Sequence, residues 1–263
     1  MRHYDHYFFD LDGTLIHGKA LLPKAADLIT YLYEQDKQVF FLTNHPVRSR
    51  TVLAKYLQDL GLSVSFDQLI TPVAGLKEYI RFRHKGDRKL FVVGSKMIKE
   101  DLCKSGFSVV EDSTEDSTEM SVVLGMSPDL TYSQLQEGFW LMQRGAELIL
   151  LNEDLLCPHP DGFLIDTGSL ARVLQHVNKD PVVVGKPSSW MQQAMRHRTG
   201  DNLQKAVIVG DSLASDIGIG NALGIDSVLV CSGVTSVEQI RHAVQTPTTV
   251  FPSIREVYQT IKG

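Results

Sequence analysis

Two acidic side chains lie two residues apart near the start of the chain, where an apolar run meets a glycine. Residues 8–14 are FFDLDGT, with Asp10 and Asp12 just before Gly13. Residues i and i+2 of a strand point to the same side, and glycine lets the chain turn sharply after them. The two carboxyl groups can therefore face one small volume and divide nucleophilic attack and proton transfer between them. Because Asp-Gly is also a common turn dipeptide, the pair needs partners elsewhere in the chain.

Further polar residues follow apolar runs directly at three later positions. They are Thr43-Asn44 after residues 39–42, Lys186 after residues 182–184, and Asp211, followed by Asp216, after residues 206–209. Short continuous apolar runs are typical of strands buried on both faces of a parallel sheet, and the carboxyl ends of such strands share one edge. Each group alone would also suit a turn or a helix start. Their order along the chain predicts that they meet the first acid pair at that edge.

The residue types favour phosphoryl transfer. Asp10, Asp12 and Asp211 offer the oxygen ligands that Mg²⁺ prefers. Lys186 supplies a cation and Thr43 a hydroxyl donor, and the N–H groups of the helix predicted to follow Thr43 favour an anion. Such donors suit the charge that spreads over the oxygens of a transferring phosphoryl group.

The predicted environments assign a role to each acid. Asp10, neutralised by Mg²⁺ and Lys186, is the predicted nucleophile and forms an aspartyl-phosphate. Asp12 is predicted to bind the metal through its backbone carbonyl and to use its carboxyl group first as an acid and then as a base. Asp211 completes the predicted metal site, and Asp216 orients Lys186 or a water on the metal.

The alternation of apolar strands and amphipathic helices predicts an α/β fold with an inserted domain. Right-handed crossovers would give a Rossmann-like, doubly wound parallel sheet. The stretch from Thr43 to Lys186 is far longer than one strand–helix–strand unit needs. We therefore predict a core formed by residues 1–76 and 181–263, with an inserted α/β domain at residues 77–180.

The insert has its own periodic pattern. It predicts strands at 90–93, 107–110, 120–124 and 148–151, and helices at 96–104, 132–144 and 170–177. Thr131 and Gln134 form a capping box for the middle helix. The acidic, Ser/Thr-rich residues 111–119 are predicted to be an exposed connection. The glycine-rich residues 218–224 have the wrong spacing for a dinucleotide loop and are predicted to allow close helix–sheet packing.

Composition limits the partners and the compartment. The 263 residues carry a net charge of −5 with no long basic run, which argues against a nucleic acid or an anionic membrane as partner. Three cysteines without CxxC spacing are typical of reduced thiols. We expect no signal peptide before the first strand and no membrane span, and therefore a cytoplasmic location.

The ordered motifs resemble those of the haloacid dehalogenase (HAD) superfamily. The matching segments are residues 10–14 for the first motif, Thr43-Asn44 for the second, Gly185-Lys186-Pro187 for the third, and Gly210-Asp211-Ser212 with Asp216 for the fourth. The second Asp of the first motif marks the phosphatases of that superfamily. The large insert between the second and third motifs is similar to that of the 4-nitrophenylphosphatase (NagD-type, subfamily IIA) branch. The resemblance implies that residues 77–180 are a cap domain that determines substrate specificity.

Two departures from that branch lie on the substrate side. Residues 152–154 resemble its Asn-x-Asp loop, with Glu153 where the branch usually has Pro, and imply that Asn152 and Asp154 contact the substrate. His45 follows Thr43-Asn44 where the branch usually has a second Asn. This lone histidine either contacts substrate or packs within its loop. The departures leave the choice of substrate open.

We therefore predict a Mg²⁺-dependent phosphomonoesterase. The resemblance implies small phosphorylated metabolites as substrates, among them sugar phosphates, nucleoside monophosphates, glycerol phosphate and pyridoxal phosphate, and a homodimer formed through the cap. Two alternatives are a phosphotransferase or mutase of the same fold, and a phosphometabolite-binding regulatory protein with negligible turnover.

Overall fold

The computed structural model describes residues 3–84, 88–111, 119–159, 161–174 and 180–263. Its strands are β1 (His6–Phe9), β2 (Ile16–His17), β3 (Ala20–Leu21), β4 (Gln38–Leu42), β5 (Leu69–Ile70), β6 (Lys89–Val93), β7 (Ser108–Val110), β8 (Met120–Leu124), β9 (Glu147–Leu150), β10 (Leu156–His159), β11 (Gly162–Ile165), β12 (Val182–Val183), β13 (Ala206–Gly210), β14 (Asp226–Val230) and β15 (Thr249–Phe251). Its α-helices are α1 (Ala25–Glu34), α2 (Arg50–Asp59), α3 (Pro72–Arg83), α4 (Lys96–Lys104), α5 (Tyr132–Gln143), α6 (Thr167–Leu174), α7 (Ser189–Thr199), α8 (Gly218–Leu223), α9 (Val237–Ile240) and α10 (Ile254–Lys262). The predicted α/β class is confirmed.

The chain divides into two compact units. Unit 1 comprises Met1–Thr43, Thr51–Ile70 and Lys186–Gly263, and unit 2 comprises Asn44–Arg50 and Thr71–Gly185. Each unit contains a parallel sheet of its own. None of the described helices has the length and apolar character needed to cross a bilayer.

Unit 1 is built on a six-stranded sheet with the order β15-β14-β13-β1-β4-β5, in which all neighbours are parallel. The central strand β1 is fully buried, and its last residue, Phe9, is in register with both Val209 of β13 and Phe41 of β4. The chain therefore leaves all three strands at one edge of the sheet, where ligands bind in open α/β folds.

The packing of unit 1 follows from its sequence pattern. Helix α1 has Leu28, Ile29 and Leu32 at helical spacing, and these side chains are buried in the same apolar cluster as Phe9. Helix α8 lies against the sheet at Gly220, where a Cβ atom would come within 2.8 Å of a methyl carbon of Ile208. The prediction that the glycine-rich segment allows close helix–sheet packing is confirmed.

Unit 2 is built on a five-stranded parallel sheet with the order β12-β9-β8-β6-β7. The four strands predicted in the insert are present as β6, β7, β8 and β9, and the predicted helices correspond to α4, α5 and α6. The capping box is also confirmed, because Gln134 N donates to Thr131 Oγ1 at 3.3 Å and Thr131 N donates to Gln134 Oε1 at 3.0 Å. Residues 112–118 of the predicted connection and 175–177 of the predicted last helix lie outside the described residues.

Two elements differ from the sequence prediction. The apolar run at 182–184 was expected to be a strand of the core sheet, but β12 pairs with β9 in unit 2, so that expectation is wrong. The strand is only two residues long and half-buried at a sheet edge, although its composition resembles that of a central strand. The antiparallel hairpin β10–β11 was not predicted, because a proline interrupts its first strand and no residue of its second strand is buried.

Candidate active site

Lys186 lies at the centre of a buried ion cluster in unit 1. Its side chain is 2 % exposed, and Nζ donates to Asp10 Oδ1 at 2.7 Å, to Asp216 Oδ1 at 2.6 Å and to the Leu42 carbonyl at 3.1 Å. An ammonium has three hydrogens to donate, so contacts to these acceptors restrict its position. The lysine is therefore held in one orientation between the first strand and the fourth motif.

Three buried carboxylates surround this lysine. Asp10, Asp211 and Asp216 each place a carboxylate oxygen within 4.8 Å of the others. Asp216 lies in a π-helical segment, Leu213–Ile217, and its second oxygen accepts from the backbone N–H of Ser212 at 3.1 Å. Both oxygens of Asp216 are thus bound, as expected for a residue that orients Lys186.

The charges of this cluster do not balance within the protein. Burial lowers the pKa of Lys186, but the carboxylates of Asp10 and Asp216 outweigh burial and raise it, so the lysine stays protonated. Burial and the charge of Asp216 raise the pKa of Asp211 to about 7, and burial raises the pKa of Asp10 well above its ordinary value. Three carboxylates facing one ammonium leave an excess of two negative charges when all are ionised.

The donor set fits a divalent cation. Oδ2 of Asp10 is buried and has no hydrogen-bond partner among the residues that the structure describes. A buried carboxylate oxygen without a partner is costly, and a cation would satisfy it while removing the excess negative charge. Hard oxygen ligands of this kind are those that Mg²⁺ and Ca²⁺ prefer.

Asp12 and Thr43 flank this cluster in sequence. Asp12 is exposed, and its carboxyl group is not part of the buried carboxylate cluster. It precedes a tight turn in which Gly13 has a φ of +87° and donates its N–H to the Ile16 carbonyl. Thr43 is buried at the end of β4, where its N–H donates to the Ile70 carbonyl at 3.1 Å.

A loop that the sequence analysis missed holds Asp211 and the turn after Asp12. The backbone N–H of Val234 donates to Asp211 Oδ2 at 2.7 Å, and Ser232 Oγ donates to the Gly13 carbonyl at 2.7 Å. A Cβ atom on Gly233 would lie 1.8 Å from Asp211 Oδ2. The residue type does not show which backbone N–H groups act as donors, but Gly233, three positions after the apolar strand β14, was an available signal.

The remaining predicted residues lie in unit 2. Asn152 is buried and donates through Nδ2 to the Asn44 carbonyl at 2.9 Å, whereas Asn44 Nδ2 donates to Asp154 Oδ2 at 3.0 Å. Glu153 between them is exposed.

His45 packs against its own loop. Its Nε2 atom accepts from Arg48 Nη1 at 3.1 Å. Burial, together with the Arg48 guanidinium, lowers the pKa of His45 to about 3, so the ring is neutral at physiological pH. The structure therefore gives this histidine a partner within its own loop.

Comparison with known proteins identifies the family. A family model described as haloacid dehalogenase-like hydrolase matches residues 7–108, and a second HAD-hydrolase-like model matches residues 183–257. The chain is 30% identical over 258 residues to the 5′-nucleotidase YutF of Bacillus subtilis, covering 97% of this chain and 98% of that protein. It is 31% identical over 254 residues to the sugar-phosphatase AraL of the same organism, covering 94% and 90%. The chain belongs to the haloacid dehalogenase-like hydrolases.

Solved structures place it within that family. A 4-nitrophenylphosphatase from Thermotoga maritima superposes with a TM-score of 0.88 at 27% identity, covering 97% of both chains. A glycerol phosphate phosphatase from Mycobacterium tuberculosis in complex with magnesium gives a TM-score of 0.87 at 26% identity, covering 97% of this chain and 77% of that one. The resemblance to the NagD-type branch is confirmed, and the protein is a phosphoric monoester hydrolase.

The Asp211 geometry predicts the effect of one added methyl group. In Gly233→Ala the new Cβ would collide with Asp211 Oδ2, while the backbone conformation of Gly233 is one that alanine also adopts. We expect the variant to fold and to bind Mg²⁺ about 10- to 100-fold more weakly, the usual size of a disturbed outer-shell contact. Calorimetric titration with Mg²⁺ measures the affinity directly.

Val237→Ala is the matched control, because Val237 is exposed four residues further along the same segment. It should bind Mg²⁺ as the wild type does. Equal affinity in Gly233→Ala and the wild type would show that Asp211 does not hold the cation.

Proposed function

We propose that this phosphatase is a Mg²⁺-dependent, cytoplasmic enzyme that hydrolyses small phosphorylated metabolites through an aspartyl-phosphate on Asp10. The observation that carries the proposal is the buried Lys186, whose Nζ lies 2.7 Å from Asp10 Oδ1. A carboxylate held in place by a buried ammonium is oriented for attack on phosphorus.

In the first step the Asp10 carboxylate attacks phosphorus, and the bond between phosphorus and the leaving-group oxygen breaks. The Asp12 carboxyl group gives its proton to that oxygen, so the leaving group departs as a neutral alcohol. Lys186, Thr43 and Asn44 are the proposed ligands of the phosphoryl oxygens. The exposure of Asp12, compared with the burial of Asp10, supports this division of roles.

In the second step water attacks the phosphorus of the aspartyl-phosphate. The Asp12 carboxylate, now deprotonated, takes a proton from this water, and the bond between phosphorus and the Asp10 oxygen breaks. Inorganic phosphate leaves, and both carboxyl groups return to their starting states. Asp216 does not react in either step but keeps Lys186 in place through the 2.6 Å contact.

Asp10, Asp211 and the backbone carbonyl of Asp12 are the proposed ligands of Mg²⁺. A bound Mg²⁺ supplies positive charge that stabilises the phosphoryl oxygens and keeps the Asp10 carboxylate ionised. With all three carboxylates ionised, the cluster has two negative charges more than Lys186 balances, and this supports a divalent ion rather than a monovalent one.

The substrate class is proposed from the relatives together with the second unit. The names of the similar proteins specify a nucleotidase, a sugar phosphatase and a glycerol phosphate phosphatase, which share a small polar alcohol as leaving group. We propose that the domain predicted at residues 77–180, all of which falls in unit 2, is the cap that selects among such alcohols. Sugar phosphates, nucleoside monophosphates and pyridoxal phosphate belong to this class.

Substitution of Asp10 and substitution of Asp12 should lower the rate of hydrolysis by different amounts. Asp10→Asn is expected to abolish hydrolysis of 4-nitrophenyl phosphate, because the amide cannot attack phosphorus. Asp12→Asn should lower kcat by about 10²- to 10⁴-fold, the usual contribution of an acid–base group. Initial rates with and without Mg²⁺ measure both effects.

Asp67→Asn is the control, since Asp67 is an exposed aspartate of the same unit. It should retain the wild-type rate. The aspartyl-phosphate mechanism is refuted if Asp10→Asn turns over as fast as the wild type.

We also propose a homodimer formed through the cap. The hairpin β10–β11 of unit 2 exposes several large apolar side chains, among them Leu156, Phe163 and Ile165, and Phe163 is 67% exposed. Apolar clusters of this kind on a soluble protein mark interaction surfaces. Phe163→Glu should convert the dimer to a monomer in multi-angle light scattering, whereas Val244→Glu, at a fully exposed position of unit 1, should not. A monomeric wild type, or a dimeric Phe163→Glu variant, would contradict this assembly.

A further inference from the structure

Asn44 is bound on two sides by one loop of unit 2. Its carbonyl oxygen accepts from Asn152 Nδ2 at 2.9 Å, and its own Nδ2 donates to Asp154 Oδ2 at 3.0 Å. The backbone and the side chain of Asn44 are therefore fixed by residues more than one hundred positions later in the chain. The resemblance described above implied a different role for Asn152 and Asp154, namely contact with the substrate.

The side chain of Asn152 has no surface left for a ligand. It is 1 % exposed, and its Oδ1 atom accepts from the backbone N–H of Asp154 at 3.2 Å. Its Nδ2 atom also lies 3.4 Å from Oδ1 of Asp166, a buried carboxylate that accepts from Thr167 N at 2.6 Å and from Thr167 Oγ1 at 3.1 Å. Buried polar groups bound on every side hold a structure in place.

The same loop lies against Gly185. A Cβ atom on Gly185 would come within 2.4 Å of the Leu151 carbonyl oxygen and 2.8 Å of Asn44 Oδ1. Only glycine fits between these atoms, so Asn44 and Gly185 are packed together within unit 2. Asn44 is joined by a peptide bond to Thr43, and Gly185 is joined by a peptide bond to Lys186.

We infer that Asn152 and Asp154 are positioning residues that act through Asn44, and not residues that contact the leaving group. The inference rests on the proposed function, in which Thr43, Asn44 and Lys186 bind the phosphoryl group. Because consecutive Cα atoms are fixed about 3.8 Å apart, a displacement of Asn44 or Gly185 passes to Thr43 or Lys186. Removal of the Asp154 side chain should therefore weaken the binding of the phosphoryl group, which all substrates share.

The test compares several esters that differ only in the leaving group. Asp154→Ala is expected to lower kcat/KM by about tenfold, the size of one lost hydrogen bond, by the same factor for 4-nitrophenyl phosphate, a nucleoside 5′-monophosphate and a hexose phosphate. Competitive inhibition by inorganic phosphate, which has no leaving group, should weaken by a similar factor. Asp154→Asn keeps a side-chain oxygen that can accept from Asn44 and should recover most of the loss.

Two further variants complete the experiment. Glu153→Ala removes an exposed side chain of the same loop and should match the wild type. Gly185→Ala displaces Asn44 from its other side and should reproduce the uniform loss of Asp154→Ala. Thermal unfolding of each variant shows whether it is folded, and Asp154→Asn provides the comparison if Asp154→Ala is not.

Failure of this inference and failure of the proposed function would give different results. Losses that differ several-fold between esters, with unchanged inhibition by inorganic phosphate, would overturn the inference and make Asp154 a leaving-group contact. An equal loss in Glu153→Ala would also overturn it, since the effect would then belong to the loop as a whole. Wild-type protein that hydrolyses none of the esters would refute the proposed function itself.

Discussion

The buried ammonium of Lys186 is the interaction on which the site depends. Moving a lysine and two carboxylates out of water is costly, and the contacts of 2.7 Å to Asp10 and 2.6 Å to Asp216 offset that cost only because both are formed together. Removing one member of such a cluster costs about 3–5 kcal/mol, since it leaves an uncompensated buried charge. The same contacts that orient Asp10, the proposed nucleophile, therefore also contribute to folding. Lys186 balances only part of the charge when all three carboxylates are ionised, and this excess supports the proposed divalent cation.

This cluster requires a chain topology that brings distant residues together. Asp10 follows the central strand of the unit 1 sheet, and Lys186 lies 176 residues later in the chain. Between Thr43 and Lys186 the chain forms all of unit 2, which starts at Asn44 and ends at Gly185, together with the segment Thr51–Ile70 of unit 1. These two residues are in contact within unit 2, so the insert begins and ends at one point. An insert whose ends are close together adds a second domain without separating the residues on either side of it.

Sequence reasoning found the carboxylates and the lysine because each follows an apolar run and because the order of the runs matches a parallel sheet. It placed the run before Lys186 in the wrong sheet, since a two-residue edge strand has the same Val-rich composition as a buried one. It missed the Val234 N–H that binds Asp211, because any residue supplies a backbone donor. It also missed Asp166, because a buried carboxylate cannot be distinguished from a solvated one until its neighbours are known. Features that depend on local sequence, such as polar residues after apolar runs, were predictable. Strand pairing, backbone donors and the burial of Asp166 were not, because they depend on the close approach of distant segments.

The positions at which this chain departs from its branch explain how chemistry and substrate choice can vary separately. The carboxylate cluster lies in unit 1, whereas His45 and Glu153 lie in unit 2. His45 is neutral and bound to Arg48, so it adds no charge of its own, and Glu153 is exposed and takes no part in the hydrogen bonds that hold Asn44. Neither residue is among the partners that the structure gives for the hydrogen bonds of Lys186 to Asp10, Asp216 and the Leu42 carbonyl, or of Asp211 to Val234. The two residues that differ from the branch therefore take no part in the hydrogen bonds by which Lys186 orients Asp10, the proposed nucleophile.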